Sequence, residues 1–193
     1  MKKSVIILIA VVAVIIIWAI SAYNGLVSMD ENVSSQWANV ETQYQRRADL
    51  IPNLVNTVKG YASHEENTLT EVVNARAKAT QMQLNIDQLD EAALKKLSNI
   101  QGELSSALSR LMAISENYPD LKANQNFLDL QAQLEGTENR IAVERRKFND
   151  VARSYNAFIL QFPRNLVAGM FGFTSKPYFE ANAGAENAPK VEF

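Results

Sequence analysis

FLDLQAQLEGTENRIAVERRKFNDVARSYNAFILQF (Phe127–Phe162) reads as one long helix with a single narrow seam. Phe127, Leu130, Leu134, Thr137, Ile141, Glu144, Phe148, Val151, Tyr155, Phe158 and Phe162 recur at alternating spacings of three and four. That mean period of about 3.5 residues, held for about five heptads, is the signature of a helix packed lengthwise against others. Pro163 stops it. Gly136 and Thr137 in its middle suggest either the close approach of another backbone or a local bend.

The same spacing recurs upstream. Val33, Trp37, Val40, Tyr44, Ile51, Leu54, Val58 and Tyr61 form a first series with Arg47 in its one polar slot. Pro52 is expected to kink or divide that helix near Asp49, and Gly60 suits its end. Ser63-His64-Glu65-Glu66 has the form of a capping box opening a second helix that runs to about Gln83 on Leu69, Val72 and Val73. After a polar connector, Asn85 to Asp90, Leu94, Leu97, Ile100, Leu104, Leu108, Leu111 and Ile114 form a third, ended by the Tyr118-Pro119-Asp120 turn. Short links normally join antiparallel neighbours, so the expected fold is all-α: a single N-terminal transmembrane helix followed by an antiparallel up-down four-helix bundle. An extended coiled coil pairing between chains shares the seam, but the turns fold this chain back on itself.

Before the bundle, Val5 to Tyr23 is apolar and uncharged, with Lys2 and Lys3 in front and Asp30 and Glu31 behind. At about 1.5 Å per residue it makes roughly 28 Å of helix, close to the thickness of a hydrocarbon core. A cleaved signal peptide is the rival, but its apolar stretch is usually about 7–15 residues, and only Ala19 and Ser21 offer a weak cleavage site. The lysines precede the span and the first cation after it is Arg46, which favours a cytoplasmic N-terminus with the body on the periplasmic or extracellular side of the cell (inner) membrane. The expected division is an anchor over 1–28, the bundle over 29–165, and an aromatic segment with a disordered tail over 166–193.

Composition narrows the chemistry. The chain of 193 residues has 19 Lys and Arg against 21 Asp and Glu, a net charge of -2, so no basic surface for nucleic acid is expected. It has no cysteine, which excludes disulfides, thiolate metal sites, a cysteine nucleophile and lipid attachment at cysteine.

Four segments also carry a resemblance. LIPNLVNTVKGYASHE (Leu50–Glu65), VVNARAKA (Val72–Ala79), the run from Tyr118 to Asn156 and FPRNLVAGMFGF (Phe162–Phe173) resemble the LemA family. With the N-terminal anchor, the likeness spans nearly the whole chain. It implies a membrane-anchored helical bundle found in bacteria and archaea, and no reaction.

No constellation for catalysis emerges. His64 is the single histidine; His64-Glu65 begins a zinc-protease pattern, but Thr68 stands where a second His is required. Tyr61 occupies the position three before His64 where a di-iron bundle needs Glu. Gly169-Met-Phe-Gly172 lacks the spacing and Lys of a phosphate loop. The expectation is a protein that is not an enzyme and carries no cofactor or metal.

Two polar positions and one segment stand out instead. Arg47 lies midway along the first seam and Glu144 near the middle of the fourth, so in an up-down bundle they are expected to meet as a buried or half-buried ion pair, joined by Arg140 or Arg145. Such a pair specifies register more than it stabilises, and losing one partner costs about 3–5 kcal/mol if the site is dry. The alternative is that both side chains reach out to the bundle edge. Leu166, Met170, Phe171, Phe173, Tyr178 and Phe179 concentrate apolar and aromatic groups in an irregular stretch. They are interface anchors, a cap folded onto the open end of the bundle, or residues that dip into the bilayer. The terminal Val191-Glu192-Phe193 offers a carboxylate to a peptide-binding domain.

Two function classes follow: a membrane-anchored scaffold of the cell envelope that self-assembles, or a ligand-sensing ectodomain with a polar site at Arg47 and Glu144. Expected partners are the membrane lipid bilayer, further copies of the chain in a homo-oligomer, and other envelope membrane proteins.

Overall fold

The computed structural model describes residues 3–82, 84, 86 and 89–180; the expected end of the second helix at Gln83, part of the Asn85–Asp90 connector, and the tail beyond Glu180 with its terminal carboxylate lie outside them. The described residues are helical and include no strand. In chain order the helices are α1 (Lys3–Tyr61), α2 (Glu66–Gln81), α3 (Glu91–Ile114), a short α4 (Pro119–Lys122), α5 (Gln125–Leu160) and α6 (Arg164–Phe171).

Two compact units divide the chain. One comprises the described residues of Met1–Tyr44 with Arg140–Lys176, the other Gln45–Asn139 with the described residues from Pro177 on. The long helices α1 and α5 contribute to both.

The second unit has a core drawn from four long helices. Ile51, Leu54 and Val58 of α1, Leu69, Val72 and Ala75 of α2, Leu104, Leu108 and Leu111 of α3, and Phe127 and Leu134 of α5 form one buried cluster. All but Ala75 are expected seam positions, so the period of three and four reports the buried face, although Val73 of α2 and Tyr61 at the end of α1, expected on those faces, are exposed. Asp90 caps α3 by accepting the Ala93 N–H at 2.6 Å, and Asn124 caps α5 by accepting that of Phe127 at 3.0 Å.

Local chemistry departs from expectation in four places. Pro52 does not divide α1, which continues without a break to Tyr61. A proline has no N–H to give the carbonyl four residues back, here that of Ala48. Arg76 of α2 fills the gap by donating from Nε to the Ala48 carbonyl at 2.7 Å, so a neighbouring helix completes the bonding that Pro52 leaves open. Next, the capping box at Ser63 does not form: α2 opens at Glu65 with no side-chain cap, and the turn is closed by backbone bonds from Ala62 to Val58 and Glu65 to Ala62. Glu65 accepts from the Tyr118 hydroxyl at 3.2 Å instead. Pro119 begins a helix, α4, taking the first position where its missing N–H costs nothing. Finally, a Cβ placed on Gly136 meets nothing within 4 Å, so no backbone crowds it.

In the first unit, α1 is exposed through the apolar span and becomes buried from Ala22 and Leu26 onward, followed by Val33, Trp37 and Val40. Phe148, Ala152, Tyr155 and Ile159 of α5 are buried in the same unit, and the Trp37 and Phe148 rings meet edge to face at 5.6 Å. Gly25 permits the closest approach: a Cβ there would stand 3.1 Å from Cζ of Phe158. The helix Lys3–Tyr61 is long and apolar enough at its N-terminal end to cross a membrane.

Candidate functional site

Arg47 is buried to 1% exposure, the largest fully buried side chain described. Its Nη1 donates to Ser105 Oγ at 2.8 Å and to the carboxylate of Glu138; its Nη2 donates to the Gln101 side-chain oxygen and, at 3.4 Å, to the Gln101 carbonyl. Ser105 Oγ in turn donates to the same carbonyl at 3.2 Å. One guanidinium of α1 therefore ties together α3 and α5 within the second unit. The Glu138 side chain keeps 41% of its surface, so the pair is wet on the carboxylate side and dry on the arginine side.

The carboxylate on Arg47 is thus Glu138, not Glu144 as the midpoints of the two seams suggested. Six residues along α5 amount to about 9 Å. A midpoint estimate resolves no better than a turn or two, and the fork of an arginine takes whichever carboxylate lies in its plane. Glu144 instead accepts from Gln36 Nε2 at 2.7 Å and from Lys147 Nζ at 2.9 Å. Hydrogen bonding to Lys147 first, and then to Gln36, holds its carboxyl below the usual carboxylate range.

As a chemical site the Arg47 cluster directs both Nη groups to partners within its own chain. A guanidinium cannot act as a base, Ser105 has no histidine beside it, and the exposed His64 sits in the turn before α2. Among the described residues, no group of three or more His, Cys, Asp or Glu is placed to hold a metal ion.

The expected interaction segment divides. Val167 and Ala168 turn α6 inward, whereas Leu166, Met170 and Phe171 face outward, Met170 at 78% exposure. Leu160 and Phe162 before them are also exposed, Phe162 at 80%, although the seam placed it among the buried positions. The reason is that α5 ends at Leu160, so Phe162 leaves the helical register. Phe173 is half-buried, and Tyr23 of α1 receives both it and Phe171, with ring centroids 6.0 and 4.7 Å away. Tyr178 is exposed and Phe179 buried.

A second polar cluster escaped the sequence reading. Asn156 clamps the chain after α6: its Oδ1 accepts the Lys176 N–H and its Nδ2 donates to the Lys176 carbonyl, both at 2.8 Å. Lys176 Nζ reaches Asp30 of α1 at 3.0 Å. Burial, with the charge of Asp30 adding to it, pushes the Tyr155 phenol up to about 12. Asp30 follows the span by a few residues and Lys176 precedes a proline, but neither position shows in a periodic pattern.

Comparison with known proteins places these features in a family. The chain is 31% identical to "Magnetosome protein MamQ 2" of Paramagnetospirillum magneticum, a match covering 82% of this chain and 64% of that protein. It is 30% identical to "Magnetosome protein MamQ" of Magnetospirillum gryphiswaldense, over 81% of this chain and 64% of that protein, so it spans less than two thirds of the length of both. "Protein LemA" of Metamycoplasma hominis is 24% identical over 82% of this chain and 69% of its own. The model of the LemA family matches residues 36–193, and on that match the chain belongs to the LemA family.

Proposed function

We propose that this protein is a non-catalytic scaffold of the bacterial cell envelope, held in the inner membrane by residues 1–28 and presenting an antiparallel up-down four-helix bundle over 29–165, with 166–193 as its aromatic segment and tail. The cytoplasmic side holds Lys2 and Lys3, and the bundle lies on the periplasmic or extracellular side. Copies confined to one bilayer meet at high effective concentration, so modest lateral contacts suffice for self-assembly. Other envelope membrane proteins are the further partners of such a scaffold.

The observation that carries the reading is the unbroken helix Lys3–Tyr61, which joins an apolar span to the buried core without a flexible linker. An enzyme tethered for local concentration needs no such rigid joint. Its rival, a sensing ectodomain, requires polar groups left open for a ligand, whereas the Arg47 guanidinium already binds Gln101, Ser105 and Glu138 of its own chain.

The test is the mass of the full-length protein in mild detergent beside that of a version beginning near Met29. A defined oligomer that shrinks when the anchor is removed is the expected result. Monomers in both preparations refute self-assembly.

A further inference from the structure

Leu160, Phe162, Leu166, Met170 and Phe171 place five exposed large apolar side chains within twelve residues. Among the described residues, the exposed large apolar side chains of the body outside this stretch are scattered singly, such as Val73, Leu128 and Val143. Leu166 and Met170, four apart, share one face of α6, while Val167 and Ala168 hold its other face to the body. The result is a short amphipathic helix, about 12 Å long, with its apolar side uncovered.

Its height relative to the span is set by aromatic contacts. Phe171 and Phe173 rest on Tyr23, the last residue of the apolar run. One turn or so before it stands the exposed Trp18. Trp and Tyr gather where the headgroups meet the acyl chains, and an element packed against Tyr23 shares that level. Charge agrees with the position. From Gln161 to Lys176 the chain holds no Asp or Glu, and its cations are Arg164 and Lys176. Arg164 lies over the Phe158 ring at 4.1 Å with Nη1 on Gln161, so its charge stays on the rim of the apolar face.

We infer that α6 and the turn before it lie in the bilayer surface, with Phe162, Leu166 and Met170 immersed among the acyl chains beside the point where α1 leaves the membrane. This rests on the reading that Val5–Tyr23 crosses the bilayer. Interfacial helices of this kind sink about 5–10 Å into the headgroup and acyl boundary. The protein is then held by two contacts, a span and a surface helix, and its body cannot swing freely about the span. Continuity with the span favours lipid over a second copy, because a protein partner at that level would have to enter the interface as well.

The absence of native cysteine allows a direct test in the full chain. Single Val12→Cys, Met170→Cys and Val73→Cys variants, all at exposed positions, carry an environment-sensitive fluorophore in vesicles of equimolar phosphatidylcholine and phosphatidylglycerol, with and without brominated acyl chains. The expected loss of emission is largest at Val12, smaller but clear at Met170, and none at Val73. A Met170 label that behaves like the Val73 label, while the Val12 label is quenched, overturns the surface helix and leaves the span intact. A Val12 label that bromolipid does not quench overturns the span and the inference with it. A Met170 label shielded from both bromolipid and an aqueous quencher assigns the face to a second copy and refutes the lipid assignment.

Discussion

Arg76→Leu is the sharpest test of how this fold closes its own gaps. Pro52 leaves the Ala48 carbonyl without its helical donor, and Ala48 is 3% exposed, so water cannot easily replace Arg76 Nε. Leucine keeps apolar bulk against α1 but removes the donor. A buried carbonyl left unmet costs about 1–3 kcal/mol, and a hydrogen bond from a charged donor is worth about 1.5–3 kcal/mol. A loss of about 2 kcal/mol is expected, which for a chain of this size lowers Tm by roughly 4–8 °C. Pro52→Ala supplies the missing N–H and by itself raises stability, since an interior proline costs about 3 kcal/mol relative to alanine. In the Pro52→Ala background, Arg76→Leu should cost less than about 0.5 kcal/mol, because the carbonyl then has a partner within α1. The assay is thermal and urea unfolding of the full chain in detergent, followed by far-ultraviolet circular dichroism. Equal losses from Arg76→Leu in both backgrounds refute the reasoning, as they trace the effect to packing or surface charge.

Arg47→Met should lower stability by about 1–3 kcal/mol by stranding the buried Gln101 oxygen, and Gln101→Leu added to it should recover part of that loss in the same unfolding assay. Glu144→Gln should change stability by less than about 1 kcal/mol, since its carboxylate is paired with an exposed Lys147 and a neutral Gln36. Gly136→Ala and Gly102→Ala should each stabilise by about 0.5–1 kcal/mol, as both sit inside helices with open space at the Cβ, whereas Gly25→Val should destabilise by about 1–3 kcal/mol against Phe158. The Tyr155 phenol keeps its proton in the fold to about pH 12 and loses it near 10 when unfolded, so the contribution of this group is intact below pH 10 and falls away between pH 10 and 12. Tyr155→Phe should flatten that alkaline loss in a pH series of unfolding midpoints.

Most positions of the four seams and the apolar run were legible because burial repeats with the helical period, and repetition survives uncertainty at any single position; helix number was not, since the apolar run and the first seam form one continuous α1 and the short α4 and α6 carry no periodic run. Leu54, Leu104 and Phe127 are buried where their spacing put them. Individual polar bonds were not legible. Ser63 and Glu66 match a capping box, yet the turn is closed by backbone bonds from the Ala62 and Glu65 N–H groups. Arg47 was identified as the polar slot of its seam, but its carboxylate partner lies six residues from the expected one, since spacing along one helix carries no information about rotation of the next. The Ala48–Arg76 bond and the Asn156 clamp join residues far apart in sequence through a backbone atom, which no side-chain pattern marks. At Phe162 the periodic reading ran past the end of its own helix.

The continuity of α1 between Tyr23 and Tyr44 makes the emerging helix a torsion bar. A helix advances 100° per residue, so inserting a single alanine between Tyr23 and Leu26 turns everything before it by that angle against Phe158, Phe171 and Phe173. Whatever sets the azimuth of the apolar run is therefore conveyed along α1 as a bearing, about 30 Å from Tyr23 to Tyr44, with no joint along the first unit to absorb it.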